Sequence, residues 1–173
     1  MEESAAAQTE EPLIPRLLAS NALRANLSKH MTLNQMADSK AAMILTAASL
    51  VTTIALTQFS SLPLLTLLIL IGSGILAVIF SILAILPPLH ATGRINYFYF
   101  RSFAELEEAE YVDGFKELIA DKQKLYDAYL HEIYYLGKHR LTRKYWLLRN
   151  GLWTLLFGLV GGALSALASH LLL

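Results

Sequence analysis

"GRINYFYFRSF", residues 93–103, interleaves Arg94 and Arg101 with Tyr97, Phe98, Tyr99, Phe100 and Phe103. Guanidinium groups suit the clamping of a phosphate and aromatic faces the stacking of a base. The same mix just past an apolar run is also an interfacial belt, which is its commoner origin. A second charged feature lies at the other edge of the apolar sequence, where "QMADSKAAMIL" carries Asp38 and Lys40 at the changeover. Two positions apart on a helix, these side chains point about 200° away from each other and cannot pair. Each needs its own tether. Lys40 can snorkel to headgroups, whereas Asp38 needs a cation such as Arg94, returning at the same depth. Asp38 is therefore a hinge point where a cytosolic signal enters the membrane.

Catalytic signals are weak throughout. The chain has no phosphate-cradling Gly-rich loop, no G-x-S-x-G elbow and no H-E-x-x-H helix. His131 and His139 are too far apart on a helix to form one ligand pair, so solvated or interfacial roles explain them better than metal. Glu105, Glu107, Glu108 and Glu110 read as a solvated helix face. These features give no support for an enzyme, a metal site or a cofactor.

The elements that must position these residues follow from where charge is missing. The 173 residues are 55% hydrophobic and only 16% charged, too apolar for an ordinary soluble domain. Formal charge is zero, with 14 basic and 14 acidic residues, so nothing suggests a nucleic-acid partner. The absence of Cys rules out disulfides and thiolate metal sites. Between Lys40 and Arg94 lie 53 residues without Asp, Glu, Lys or Arg. A bilayer core of about 30 Å takes roughly 20 helical residues, so this run holds two spans, residues 40–60 and 63–86. Ser60-Ser61-Leu62-Pro63 turns between them and Pro87-Pro88 ends the second. The last 24 residues, 150–173, are also free of these charges and make a third span.

Arg16, Arg24, Lys29 and Lys40 precede the first span, and the other ten Lys and Arg fall between the second and third. Positive residues stay cytoplasmic during insertion. The expected architecture is an all-α membrane protein with N-in, C-out topology, a two-span hairpin and a C-terminal span joined by a helical cytosolic stalk. "MEESAAAQTEEP" lacks the features of a signal peptide, and residues 1–15 read as a disordered acidic tail. Residues 16–39, with Leu23, Leu27 and Met31 on one face, extend the first span into the cytosol.

The cytosolic region, residues 87–149, carries one apolar stripe from Phe115 through Leu118, Leu125, Tyr129 and Ile133 to Leu136. This spacing predicts one helix from about Phe115 into the third span, with Gly137 and Gly151 as weak points. Ser102 and Glu105 have the spacing of a capping box for an earlier helix. A stalk with too few residues to enclose its own core must bury its stripe elsewhere. A homo-oligomer follows.

Each span also has a face of small or weakly polar residues: Thr46, Ser49, Thr53 and Thr57; Gly74, Ala77, Ser81 and Ala84; Gly158, Gly162 and Ala166. Close helix packing in lipid is the ordinary use of such faces. The Thr/Ser face of the first span is the one that could line water when subunits rearrange. No charge lies deep in a span, which argues against pumps and ion-coupled transporters.

Several of these pieces recur together in a known order. Ala37-Asp38-Ser39-Lys40-Ala41, the proline after the second span, Asn96 with its aromatics, Glu108 through Tyr111, Asp121, Ile133-Tyr134 and Lys144-Tyr145 resemble the Pycsar effector family of small bacterial membrane proteins. The resemblance covers about residues 20–170. It implies a multi-pass protein of the bacterial inner (cell) membrane that acts in antiphage defence. A partner cyclase makes cyclic CMP or cyclic UMP on infection, and the effector responds by disrupting the membrane, so that growth stops or the cell dies. No family motif fixes the ligand site.

The phosphate cassette of a β-roll nucleotide-binding domain is absent, so any pocket is built from helices, between subunits near the membrane. The candidate contacts are Arg94, Arg101 or Lys122 to phosphate and Tyr97 or Tyr99 to the base, with Asn96 beside them. Asp38, Lys40, Thr46, Ser49, Thr53, Gly158 and Gly162 are the candidate structural and gating positions. The competing reading is a constitutive oligomeric scaffold or channel component that binds a protein partner and no nucleotide.

Overall fold

The computed structural model describes residues 13–86 and 95–172; the side chains of residues 13–16, 100, 101 and 172 fall outside that description. Residues 1–12, Arg94 and the proline pair therefore lie outside the described residues.

The first helix, α1, runs unbroken over Leu13–Thr57. Its 45 residues make a rod of roughly 67 Å at 1.5 Å per residue, about twice a bilayer core. It starts at Leu13, inside the segment read as an acidic tail. The chain reverses at Gln58–Leu62, where Ser61 N–H and Leu62 N–H both donate to the Gln58 carbonyl at 3.0 and 3.1 Å. Helix α2, Leu64–Ile85, follows Pro63 and stops at Leu86, whose extended backbone (φ −60°, ψ 123°) is what a following proline favours. Three runs are long and apolar enough to cross a membrane: Leu17–Thr57, Leu64–Ile85 and Lys122–Leu171.

The region after α2 departs from the single helix expected from Phe115. A short turn, α3 (Phe100–Phe103), is followed by α4 (Glu108–Ala120) and, after a break at Asp121, by α5 (Lys122–Tyr135). Asp121 is extended (φ −108°, ψ 111°), and its carboxylate accepts from Gln123 N–H at 2.8 Å and Lys124 N–H at 3.2 Å. It is the N-cap of α5. The capping box sits at Glu107 and Glu110 rather than at Ser102 and Glu105. Two of the four acidic residues read as a plain solvated face thus satisfy free N–H groups at the start of α4, where a helix favours negative charge.

From Lys122 the helix continues into the third span through one π-helical segment, Leu136–Leu141, before α6, Thr142–Leu172. The Thr142 N–H reaches back to the Gly137 carbonyl, and the Thr142 hydroxyl donates to the same oxygen at 3.0 Å. Gly137 marks this irregular stretch and leaves room for α1: a Cβ there would lie 3.2 Å from the His30 ring. Gly151, the other expected weak point, sits inside regular helix against Phe80.

The buried core lies among the spans. Ala37, Ala41, Ile44 and Ala48 of α1, Ala77 and Ala84 of α2, and Leu147, Leu148 and Leu155 of α6 form one cluster. By contrast, α4 has no buried residue and α5 only Glu132, while Ile119, Leu130 and Tyr134 are more than half exposed. The stripe itself, Phe115, Leu118, Leu125, Tyr129, Ile133 and Leu136, is partly covered within one chain.

Candidate functional site: an aromatic cleft beneath the spans

The segment following α2 is pinned by Asn96. Its backbone N–H donates to Ser102 Oγ at 2.7 Å, its Oδ1 accepts from Phe98 N–H at 2.9 Å, and its Nδ2 donates to Glu132. Glu132 is 5% exposed, so this amide satisfies a carboxylate that would otherwise be buried at high cost. The local Asx turn splays three consecutive rings. Tyr97 enters a nest formed by Tyr111 and Phe115, with ring centroids 5.9 and 6.4 Å away. Phe98 lies on Tyr129 at 4.8 Å. Tyr99 lies under the Arg140 guanidinium, 3.7 Å from its carbon. Gly114 makes room for Tyr97: a Cβ at that position would be 2.1 Å from the Tyr97 hydroxyl.

Between this segment and α5 opens a cleft of about 490 Å³, within the range that holds small organic ligands. Asn96, Tyr97, Phe98 and Tyr99 line one side, and Lys124, Asp127, His131 and Tyr135 line the other. The latter recur every three or four positions and so share one face of α5. Lys124 Nζ pairs with Glu117 at 2.6 Å. That hydrogen bond and charge hold the Glu117 carboxyl below its ordinary range and raise the Lys124 ammonium, which stays protonated at neutral pH.

Of the candidate ligand residues, Asn96, Tyr97 and Tyr99 come together at this cleft. Lys122 does not line it; its Nζ lies over the Tyr126 ring at 5.6 Å. Arg94 and the Arg101 side chain fall outside the described residues. Lys124, Asp127 and His131 also line the cleft and were not among the candidates, although their helical spacing is readable; Arg140 touches it only through Tyr99. His131 had been read only as solvated or interfacial.

Nearer the spans, Asp38 meets Lys144 at 2.6 Å, and Lys144 also donates to Asn34 Oδ1 at 2.8 Å. Among the described residues the cation that meets Asp38 is on α6; Arg94, the cation expected there, lies outside them. Lys40, exposed, lies over the Tyr145 ring at 5.6 Å. The two tethers of the doorway motif reach adjacent residues of α6.

The family model of the Pycsar effector protein domain matches residues 22–171, from α1 almost to the end of α6. The chain belongs to the Pycsar effector family. Membership makes it an effector of antiphage defence, and the three apolar helices make it a membrane protein. No curated protein and no solved structure matches it.

In this Pycsar effector the small faces of α2 and α6 pack helix on helix. Gly74, Ala77, Ser81 and Ala84 are all buried, as are Gly158 and Gly162. A Cβ at Gly158 would be 1.8 Å from Ser73 Oγ, and one at Gly162 would be 2.6 Å from Leu70 Cδ2. The Thr/Ser face of α1 behaves differently. Thr46, Ser49, Thr53 and Thr57 are exposed, and the Thr46 and Thr57 hydroxyls donate to carbonyls of their own helix. The packing face of α1 is instead Ala41, Ile44, Ala48, Thr52 and Ala55.

Proposed function

We propose that this Pycsar effector responds to a cyclic pyrimidine nucleotide, cCMP or cUMP, by rearranging a homo-oligomer so that the cell membrane is breached and growth stops. The placement of Lys and Arg supports N-in, C-out topology in the bacterial inner membrane, which puts the aromatic cleft in the cytosol.

The observation that carries the nucleotide assignment is the cleft itself. Tyr97 and Tyr99 offer ring faces to a base, Asp127 offers a polar edge, and Lys124 and His131 on the facing wall are the groups suited to a phosphate. Tyr99 also touches Arg140, in the π segment that feeds the third span. A ligand that displaces Tyr99 thereby bears on the helix entering the membrane. A ligand switches states only through differential affinity, and moving a 1:99 equilibrium to 99:1 takes about 5.5 kcal/mol. Several sites in an oligomer share that load.

The exposed Ile119, Leu130 and Tyr134 of the stalk support self-association through it, and the outward Thr46, Ser49, Thr53 and Thr57 face supports a polar seam where copies of α1 meet.

Thermal unfolding of the detergent-solubilised chain tests the binding claim. At a hundredfold excess over Kd, one of the two nucleotides is expected to stabilise the protein by about 2.7 kcal/mol. Tyr99→Leu should remove the shift while keeping the helical content. A constitutive scaffold predicts no shift with any nucleotide, and that result would refute direct sensing.

A further inference from the structure

A second cleft, of about 460 Å³, lies at the mouth of the spans, where the end of α2 meets the π segment and the start of α6. Its polar wall carries His139, Arg140, Arg143 and Lys144 with Asn34 and Asp38. Asp38 is already matched by Lys144. Two guanidinium groups therefore remain without a countercharge among the residues lining the cleft. The Nε and Nη2 atoms of Arg140 are buried and make no hydrogen bond among the described residues. Those two atoms form the side-on edge of the guanidinium, the fork that accommodates two oxygens of one phosphate or carboxylate. Buried charged donors left unpaired are costly, and an unpaired pair on one edge marks a position for an oxyanion.

The opposite wall decides which oxyanion. It carries Leu83, Ala84 and Ile85 from the last turn of α2, with Leu86 after it and Leu147, and the rings of Tyr99 and Tyr135 also line the cleft. Leu83, Ile85 and Leu86 are 40, 40 and 55% exposed, so the wall is open on its outer side. The last turn of α2 lies near the end of the uncharged run, and Trp146, half exposed at the start of α6, is the kind of residue that settles at headgroup level. A soluble phosphate compound gains little from such a wall. A phosphodiester carrying acyl chains gains on both sides.

We infer that this cleft binds the phosphate of an anionic glycerophospholipid, held by Arg140 and Arg143, with the glycerol and first methylenes against the end of α2. The shared chemistry with a soluble ligand is the phosphate, so the test separates the sources. The full chain in neutral detergent is titrated with short-chain phosphatidylglycerol, with the matching diacylglycerol, with inorganic phosphate and with cyclic UMP, and affinity is read from the shift in thermal unfolding.

Phosphatidylglycerol is expected to stabilise the protein and diacylglycerol not to. Arg140→Gln should weaken the lipid effect at least tenfold. Arg140→Lys, which keeps the charge over Tyr99 but lacks the fork, should weaken it as well while preserving the fold. Arg149→Gln, outside the cleft, should leave it intact. Equal responses to phosphatidylglycerol and diacylglycerol would overturn the inference, as would an unchanged lipid affinity in folded Arg140→Lys. Competition between the lipid and inorganic phosphate or cyclic UMP, abolished by Arg140→Lys, would assign the cleft to a soluble phosphate and refute the lipid.

Discussion

Gly158→Leu is expected to drive the third span off the second and to destabilise the membrane domain by about 3 kcal/mol or more. Already the first carbon of a side chain at this position would lie 1.8 Å from Ser73 Oγ and 2.2 Å from Ser73 Cβ. Rotating the serine hydroxyl relieves only the first contact, so the helices themselves must separate. Separation also removes the hydrogen bond of 3.0 Å from Thr66 to Ser165 across the same interface. In lipid no hydrophobic force draws the helices back, because apolar side chains are as well solvated by acyl tails as by each other. Reversible unfolding in bicelles measures the loss. Gly72→Leu is the matched control, since nothing lies within 4 Å of a Cβ there, and it should be neutral or slightly stabilising. Equal effects at the two glycines would contradict the packing described.

The second large effect is expected at Lys144. Its side chain is 15% exposed and serves both Asn34 and Asp38. Lys144→Met leaves Asp38, 41% exposed, without its cation at the membrane mouth. The expected cost is about 1–2 kcal/mol, between the values for surface and buried pairs. Lys40→Met should cost no more than about 1 kcal/mol, because Lys40 is exposed and holds only a ring face. A double-mutant cycle over Asp38→Ala and Lys144→Met should give a coupling of about 1 kcal/mol. Additive effects would mean that the doorway carboxylate and the third span are not tied.

Much of the membrane region was legible because its signals are coarse. An absence of charge marks the spans, and Pro63 together with Ser60 and Ser61 marks the reversal between them. The glycines of the third span advertise close approach, since only small residues permit it. The first span misled because it has small residues on two faces. Ala41, Ala48 and Ala55 pack inward while Thr46, Ser49 and Thr53 face out, and periodicity alone cannot say which face meets a neighbour.

The stalk was harder to read. Apolar spacing runs on from Leu118 to Leu125 across the break, yet one extended aspartate that caps two N–H groups ends α4 and begins α5. That cap also decides which lysine faces the cleft, for Lys122 and Lys124 are two positions apart and point to different sides. Asn96 was singled out as a ligand contact, but its backbone N–H and both side-chain groups are engaged in holding the segment. The Asp38–Lys144 contact eluded the sequence because the two are over a hundred residues apart, and no local pattern reports that pairing.

The account stands most directly on dye release from liposomes that contain the full chain, inserted and shown to be folded and oligomeric. Addition of cyclic UMP or cyclic CMP is expected to release trapped dye many times faster than buffer or a cyclic purine nucleotide, and Tyr99→Leu is expected to abolish that response. Liposomes that stay sealed with every cyclic nucleotide, or that leak equally without one, would contradict it.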